Sequence, residues 1–505
     1  MPEGMATSMR NSCFPFLRML AVGLATVGEA ALVWSADKMP ELAGVDRFIK
    51  VQMADHRIPG LALAITRHGQ VVHLRGYGTA RDGDPVSVRT QFRLASLSKS
   101  FTALAVLQLV EAGRVDLDAP VSRYLPEFTV AAAPRSASAT VRQFLHHTSG
   151  LADTGFRHGL AGRQNTLAER VVSLRTAHPI DPPGVAFHYF DPNYQVLARL
   201  VEVVSGQLFD EYLQTNIFAP LGMRNTVSAL TSTGAAQRAS HLAQRHLVVY
   251  GLPLAAAELS GFQGGSGGVV STAADMAHYL IAQSDGGQYA KHRVLSPAGI
   301  ALMQTPALGL ASNYAMGWVA SHTHGVRTVE HNGVLSTFYA EAVLLPDSGY
   351  AFVLLYHEYA LASSMVAFPI IKNGVVALLT GQEPGGGKLS MPMLGILLAA
   401  LTALATGLAI WSLLRLPRWK TRVALGVPRW KLVPVLIWLF APGILLLILP
   451  QLIALLTGRY FGHVMLARAM PEIYILLGIS GGLGAITGAS RIVHLTWARR
   501  TVETR

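Results

Sequence analysis

Three long uncharged stretches near the C-terminal end most constrain how this 505-residue chain can fold. They cover residues 390–414, 432–458 and 473–490, the last of which contains five glycines. About 20 consecutive apolar residues cross a bilayer as a helix, whereas buried helices of soluble proteins usually keep a polar face. The sequence therefore predicts transmembrane helices at 390–414, 432–458 and 471–490.

The positive charge of the chain is concentrated in the same region. The formal net charge is +12, and residues 389–505 hold twelve basic and two acidic residues, so the preceding chain is nearly neutral. This distribution argues against a nucleic-acid partner and is typical of membrane topology, because basic loops stay in the cytoplasm. Residues 415–431 carry six basic residues and no acid. We expect this loop and the tail, 491–505, to be cytoplasmic.

The part of the chain before the first predicted transmembrane helix is expected on the opposite side of the membrane, outside the cytoplasm. Arg10 and Arg18 precede an apolar run at 19–28, which is followed by small residues. This order predicts a signal peptide or an uncleaved anchor over residues 1–36. The single cysteine, Cys13, excludes an intramolecular disulfide framework and a cysteine-based metal site. We expect a bacterial inner-membrane protein whose large N-terminal domain faces the periplasm.

Residues 40–382 have the pattern of one globular domain, joined to the first span by a linker at 383–389. Alternating apolar residues on both sides of Gly69 predict a β-hairpin. Residues 338–357 predict two strands around a Pro-Asp-Ser-Gly turn, and helical patterns lie between these distant segments. The sequence therefore predicts an α+β fold, with an antiparallel sheet, flanking helices and a helical subdomain.

Ser96 and Lys99 form an S-x-x-K motif at the start of an apolar helical pattern. The i, i+3 spacing places the hydroxyl and the amine on one helix face, one turn apart. A serine needs a neighbouring base to become a nucleophile, and a desolvated lysine can serve as one. This motif often occurs by chance, so it indicates a catalytic serine only when further motifs accompany it.

Two further motifs follow in order along the chain. These are Tyr189-Phe190-Asp191 and His331-Asn332-Gly333, accompanied by the segments Thr-Val-Arg-Gln-Phe-Leu-His-His-Thr-Ser-Gly-Leu and Tyr-Ala-Met-Gly-Trp. Over about residues 45–380 the chain resembles the serine β-lactamase and penicillin-binding protein superfamily, in its branch of class C β-lactamases, D-aminopeptidases and esterases.

The resemblance implies roles for the matching side chains. Ser96 would be the acylated nucleophile, Lys99 its base or proton relay, and Tyr189 a phenol or phenolate that exchanges protons with the lysine. His331 stands where other branches carry a lysine, and would hydrogen-bond Tyr189 or a substrate carboxylate.

The resemblance also implies the surroundings of the nucleophile. The backbone N–H groups of Ser96 and Val334 would form the oxyanion hole, with Gly333 lining the substrate site. His146 and His147 are interpreted as structural. The family requires no metal or cofactor.

Asp191 departs from the family pattern, which usually has asparagine at this position. An ionised aspartate only accepts hydrogen bonds. It would either pair with Lys99 and raise the lysine pKa, or receive a cationic group of the substrate. In both cases the turnover of β-lactams is less expected than hydrolysis in general.

The expected function is hydrolysis of an amide, through an acyl-enzyme on Ser96. The order of a hydrolase domain and three membrane helices also resembles that of the colibactin-maturation peptidases, which are periplasmic serine peptidases. A carboxylesterase and a penicillin-binding sensor that acylates without turnover remain alternatives. The expected partners are a small-molecule or peptide substrate and the lipid bilayer.

The topology is testable with reporter fusions. Alkaline phosphatase fused near Gly387 should be active, because folding of this reporter requires the periplasm, and the same enzyme fused within residues 418–429 should be inactive. The reverse pattern would place the large domain in the cytoplasm.

Overall fold

The computed structural model describes residues 42–131, 138–156, 166–425, 428, 430 and 433–503, with side chains described up to residue 495. The predicted signal peptide or anchor at 1–36 lies outside the described residues. The residues from Pro40 onwards form one compact unit.

The helices of this unit include short ones in the hydrolase domain and long ones near the C-terminal end. They are α1 (Leu42–His56), α2 (Ser98–Glu111), α3 (Val141–Leu145), α4 (Leu167–Ser173), α5 (Asp191–Ser205), α6 (Phe209–Leu213), α7 (Ser232–Arg238), α8 (Ala273–Ser284), α9 (Pro297–Met303), α10 (Leu361–Met365), α11 (Ala367–Leu379), α12 (Met391–Leu414), α13 (Leu416–Ala424), α14 (Val433–Thr457), α15 (His463–Ala469) and α16 (Pro471–Glu503).

The strands are mostly at the two ends of the hydrolase domain. They are β1 (Gly60–Arg67), β2 (Gln70–Arg81), β3 (Asp84–Pro85), β4 (Phe92–Arg93), β5 (Val227–Ser228), β6 (His246–Val249), β7 (Leu252–Ala255), β8 (Val269–Ser271), β9 (Gln288–Tyr289), β10 (His292–Arg293), β11 (Val319–Thr323), β12 (Val326–Leu335), β13 (Phe338–Leu345), β14 (Tyr350–Tyr356) and β15 (Glu358–Tyr359).

Seven strands form the main sheet, in the order β11-β12-β13-β14-β1-β2-β3. All of its pairings are antiparallel, and β1 pairs with β14, so that Ala64 lies opposite Val353. The β1–β2 hairpin turns through His68 and Gly69, both with positive φ, as a two-residue turn between antiparallel strands requires. The predicted α+β fold with an antiparallel sheet of chain-distant segments is confirmed.

The two faces of the sheet are buried by different helices. On β1 the larger side chains Leu61, Leu63 and Ile65 pack with α1 and α11. The intervening residues Ala62 and Ala64 belong to the cluster on the other face, which includes α2, α5 and α8. Alternate residues of a strand point to opposite faces, so a strand buried on both sides is apolar throughout. Helix α8 packs directly against β1 on this face, where the small alanines leave room for it.

Four helical segments among the described residues are long and apolar enough to cross a membrane, one more than the sequence predicts. Three of them are α12, α14 and α16. The fourth, Leu361–Leu379, is formed by α10 and α11, and 44% of its apolar window is buried, against 11% for α12 and 17% for α14. Because α11 packs against α1 and the sheet, we assign it to the hydrolase domain.

Glycines let the apolar helices α14 and α16 approach closely. A Cβ atom on Gly481 would lie 2.8 Å from the Cα of Gly443, and one on Gly484 would lie 2.1 Å from the Leu439 carbonyl oxygen. Small residues at such contacts are typical of helices that associate in membranes.

The apolar helices also contact the hydrolase domain through polar groups. The Tyr250 backbone N–H donates to Glu472 Oε1 at 2.6 Å, and the hydroxyl groups of Tyr250 and Thr402 are 3.0 Å apart. The Arg468 guanidinium donates to the Ala257 carbonyl. The helices α12, α14, α15 and α16 are here called the membrane-type helices. They contact the domain at several points, in addition to the linker.

The glycine contact predicts a selective loss of stability. Gly484→Ala should destabilise the protein by about 1–3 kcal/mol, because the added methyl group overlaps the α14 backbone. Gly482→Ala is the matched control, since nothing lies within 4 Å of its Cβ position and alanine favours the helix. Thermal unfolding in detergent measures both, and equal effects of the two changes would contradict the packing.

Candidate active site

Ser96 lies in a single turn of 3-10 helix, Ala95–Leu97, directly before α2. Ala95 has a φ of +48°, a conformation that a non-glycine residue adopts at an energetic cost and that is often found at functional sites. Strand β12 passes so close that a Cβ on Gly333 would lie 2.0 Å from the Leu94 carbonyl oxygen. The glycine of the His-x-Gly motif is thus required for the strand to approach the nucleophile turn.

Lys99 is fully buried in the first turn of α2, whereas Ser96 is partly exposed. Its Nζ atom donates to Ser96 Oγ at 3.0 Å, to Asp191 Oδ1 at 2.6 Å and to the Ser266 carbonyl at 2.9 Å. A lysine ammonium has three N–H donors, and these contacts use all three. The resting structure therefore holds Lys99 as an ammonium ion.

Asp191 is the first residue of α5, where the positive end of the helix dipole favours a negative charge. One carboxylate oxygen, Oδ1, contacts Lys99, and the other, Oδ2, accepts from Arg459 Nη2 at 3.1 Å. Burial alone would raise the pKa of Asp191, but these two cations hold it well below its usual range. In turn, the pKa of Lys99 would be lowered by burial, but Asp191 and Tyr189 raise it above the usual lysine value.

Arg459 lies in the segment between α14 and α15, far from the hydrolase motifs in sequence. Its Nε atom donates to Asp153 Oδ2 at 2.5 Å, and its Nη2 atom donates to Asp191. The Arg459 side chain is 23% exposed, and that of Asp153 is 14% exposed. The segment between two apolar helices thus contributes a charged side chain to the hydrolase site.

Tyr189 lies beside both cations. The Lys99 Nζ atom is 4.8 Å, and the Arg459 guanidinium carbon 4.7 Å, from the centre of its ring. The Tyr189 ring thus lies within cation–π distance of both cations of the site.

His147 holds the segment that carries Tyr189 and Asp191. It is fully buried, and its Nδ1 atom accepts hydrogen bonds from the Phe190 backbone N–H at 3.2 Å and from Asn193 Nδ2 at 3.1 Å. Burial, together with the charge of Lys99, keeps the pKa of His147 well below its usual value, so the ring is neutral. These contacts are those of a structural histidine in the wall of the site.

His331 lies on β12 with its Nε2 atom 3.4 Å from the Tyr314 hydroxyl. The sequence predicts a hydrogen bond to Tyr189 or to a substrate carboxylate instead. Burial and the nearby Lys99 lower the pKa of His331 to about 3, so this ring is also neutral. A neutral, fully packed imidazole is suited to positioning Tyr314 rather than to binding an anion.

Val334 follows Gly333 on β12 and lies opposite Tyr339 on β13. It is therefore on the strand that approaches the Ser96 turn. Its proposed contribution to an oxyanion hole stays a prediction.

The structure brings together the predicted residues Ser96, Lys99, Tyr189, Asp191, His331 and Gly333. It adds Asp153, Ser266, Tyr314 and Arg459 to them. Of these four, Ser266 and Tyr314 lie in segments, residues 265–280 and 314–318, whose sequences resemble those of the family. In the sequence, Arg459 is one of the few charged residues between the second and third predicted transmembrane helices.

Comparison with known proteins covers the part of the chain that builds most of this site. The β-lactamase family model matches residues 45–386. Penicillin-binding protein 4 of Amycolatopsis lactamdurans is 32% identical over 315 residues, which are 60% of this chain and 81% of that protein. Protein flp of Staphylococcus aureus is 26% identical over 316 residues, and the match spans 62% of each protein.

Solved structures show the same fold. The octameric penicillin-binding protein homologue from Pyrococcus abyssi superimposes with a TM-score of 0.56, at 24% identity, over 68% of this chain and 78% of its own. The D-alanine carboxypeptidase AmpC from Burkholderia cenocepacia has a TM-score of 0.53, at 20% identity, over 67% and 98% of the two chains. EstCE1, a hydrolase with promiscuous acyltransferase activity, and the D-amino acid amidase from Ochrobactrum anthropi have TM-scores of 0.52 and 0.50.

The family match extends over more than half of the chain, and the three motifs that resemble those of the family meet in one site. The chain belongs to the β-lactamase family of serine hydrolases.

Proposed function

We propose that this protein is a membrane-anchored, extracytoplasmic serine hydrolase that cleaves an amide through an acyl-enzyme on Ser96. The observation that carries the proposal is the 3.0 Å contact between the partly exposed Ser96 Oγ and the buried Lys99 Nζ. A peptidase that acts on substrates containing a D-amino acid is our first candidate. Support comes from the motif order and from the fold likeness to a D-alanine carboxypeptidase and a D-amino acid amidase.

Acylation requires that the Lys99–Tyr189 pair has first lost one proton. With the resting ammonium and a neutral phenol, neither group can accept the proton of Ser96. In the deprotonated pair, Ser96 Oγ attacks the substrate carbonyl carbon, its proton passes to the pair, and the same proton is then delivered to the leaving amine as the C–N bond breaks. Since the two groups interact, the pH profile reports the pair and not either residue alone.

Deacylation reverses the direction of proton transfer. A water molecule takes the place of the leaving amine and attacks the acyl carbon while the pair removes one of its protons. As the bond from the acyl carbon to Ser96 Oγ breaks, the pair delivers that proton to Ser96 Oγ and the acid is released. In both steps negative charge develops on the substrate carbonyl oxygen, which two backbone N–H groups would stabilise. We assign these donors to Ser96 and Val334.

Asp191 supports esters as a second substrate class. Both of its carboxylate oxygens are occupied by cations, and a carboxylate has no donor for the acyl-amide carbonyl of a peptide substrate. An ester without that amide does not need such a donor.

The position of Arg459 supports an extracytoplasmic site. Its segment connects α14 and α15 and contacts the hydrolase site, so this end of the apolar helices is the end that faces the domain. The basic residues of α13 follow the other end of α12. We therefore propose the inner membrane of a bacterium as the location, with the hydrolase domain on the periplasmic side.

The nucleophile is tested by labelling and turnover of the full chain in detergent. Ser96→Ala should abolish labelling by a fluorophosphonate and hydrolysis of N-acyl-D-amino-acid amides and short-chain esters, with a change in stability well under ~1 kcal/mol. Ser284→Ala, which alters an exposed serine of α8, should leave both unchanged. Hydrolysis retained by Ser96→Ala would refute the mechanism, and a fluorescent penicillin label that persists for hours would favour the sensor alternative.

Asp191→Asn should move the acidic limb of the kcat/KM profile to lower pH. The substitution removes the carboxylate that raises the lysine pKa, so the deprotonated Lys99–Tyr189 pair becomes populated at a lower pH. Acyl-amide substrates should also improve, because asparagine supplies an N–H donor. Asp347→Asn, at a 60% exposed carboxylate, is the matched control. An unchanged profile would mean that Asp191 does not control the pair.

A further inference from the structure

The segment at residues 458–462, here called the site loop, connects α14 to α15 and enters the hydrolase domain through Arg459. This side chain bridges Asp153 and Asp191, which belong to two different parts of the domain. Its guanidinium group also lies 5.3 Å from the ring centre of Phe461 on the same loop. Five groups therefore fix the arginine: two carboxylates, the Tyr189 ring, the Phe461 ring and the loop backbone.

Two cations and two carboxylates contact one another in the site. Among the described residues, Lys99 and Arg459 are the cations in direct contact with Asp191, and Asp153 contacts Arg459. The neighbouring imidazoles, His147 and His331, are neutral, because burial lowers the pKa of both. Arg170 lies further away and interacts with both carboxylates through space. Without Arg459, Lys99 would be the one cation in contact with Asp191.

A missing countercharge would act on the catalytic pair. Removing an opposite charge from a buried carboxylate strengthens the field of that carboxylate at its other neighbours. Asp191 would then hold the Lys99 ammonium more tightly, and the proton that acylation must remove would leave at a higher pH. The electrostatic effect of the site loop would therefore appear in the protonation of Lys99 and Tyr189.

We propose that the site loop is part of the catalytic site, and that Arg459 is a positioning residue that neutralises Asp153 and Asp191, so that the Lys99–Tyr189 pair can lose a proton. This inference rests on the proposed function of Ser96. It makes hydrolysis dependent on correct docking of the membrane-type helices, since Arg459 belongs to them and not to the hydrolase domain.

The alternative role of the same contact is to block substrate binding. In that case Arg459 would occupy space that the substrate needs, and its removal would accelerate hydrolysis. The two roles differ in the sign of the effect, so one set of variants separates them.

The test compares kcat/KM against pH for the full chain and for three single variants in detergent. Arg459→Gln should move the acidic limb up by about one pH unit, which lowers kcat/KM about tenfold on that limb. Arg459→Lys keeps the charge and should restore most of the profile. Arg327→Gln is the matched control and should stay within about twofold of the wild type, because Arg327 is 54% exposed and pairs with the exposed Asp347.

Charge rescue separates electrostatic positioning from a purely structural role. In Arg459→Gln combined with Asp191→Asn, and in Arg459→Gln combined with Asp153→Asn, one negative charge is removed together with the positive one. In both double variants the acidic limb should move to lower pH, from its position in Arg459→Gln towards its position in the corresponding aspartate single variant. Because Asp191→Asn lowers the limb in either case, the double variant with Asp153→Asn decides: if Arg459 only held the loop in place, it would show no recovery.

The outcomes are distinct for the inference and for the proposed function. An Arg459→Gln profile equal to the wild type, a faster Arg459→Gln enzyme, or no rescue would each overturn the inference while Ser96 remains labelled. If wild-type Ser96 is not labelled at any pH, the proposed function has failed. Thermal unfolding at neutral pH then tests whether Arg459 compensates the carboxylates. A lower unfolding midpoint for Arg459→Gln, restored in the double variant with Asp153→Asn, supports the inference. An unchanged midpoint for Arg459→Gln overturns it.

Discussion

A row of alternating charges, buried at Lys99 and partly buried at the other three residues, holds this structure together at its chemically important point. Lys99, Asp191, Arg459 and Asp153 contact one another in that order, with N–O distances of 2.6, 3.1 and 2.5 Å. Removing a charge from water is costly unless a partner compensates it, and breaking such a pair leaves an uncompensated charge in the interior. The elements that carry these side chains must therefore fold and dock together for the site to exist.

The hydrolase fold provides three of the four positions and the nucleophile. The nucleophile turn packs directly against β12 and β13. The glycine of the His-x-Gly motif has a steric role there, because the strand and the nucleophile turn are in contact through their backbones. The sheet thus fixes the position of the nucleophile through β12.

Arg459 lies outside the part of the chain that the family comparisons describe. The family model ends at residue 386, whereas the arginine follows the second predicted span. The membrane-type helices are consequently more than an attachment: through Tyr250, Glu472 and Arg468 they dock on the domain, and through Arg459 they enter its site. In this arrangement each carboxylate oxygen of Asp191 already contacts a cation of the chain itself.

The sequence by itself determined what depends on local spacing. The i, i+3 relation of Ser96 and Lys99, the β1–β2 hairpin around Gly69 and the length of the apolar helices are properties of short segments, whose geometry follows from helix and strand periodicity. The resemblance of three ordered motifs supplied the fold class. Only the tertiary structure decided that α11 is buried in the domain, that His331 meets Tyr314, and that Arg459 meets Asp191. These contacts join segments up to 268 residues apart, and no local pattern specifies which distant charge will compensate a buried one.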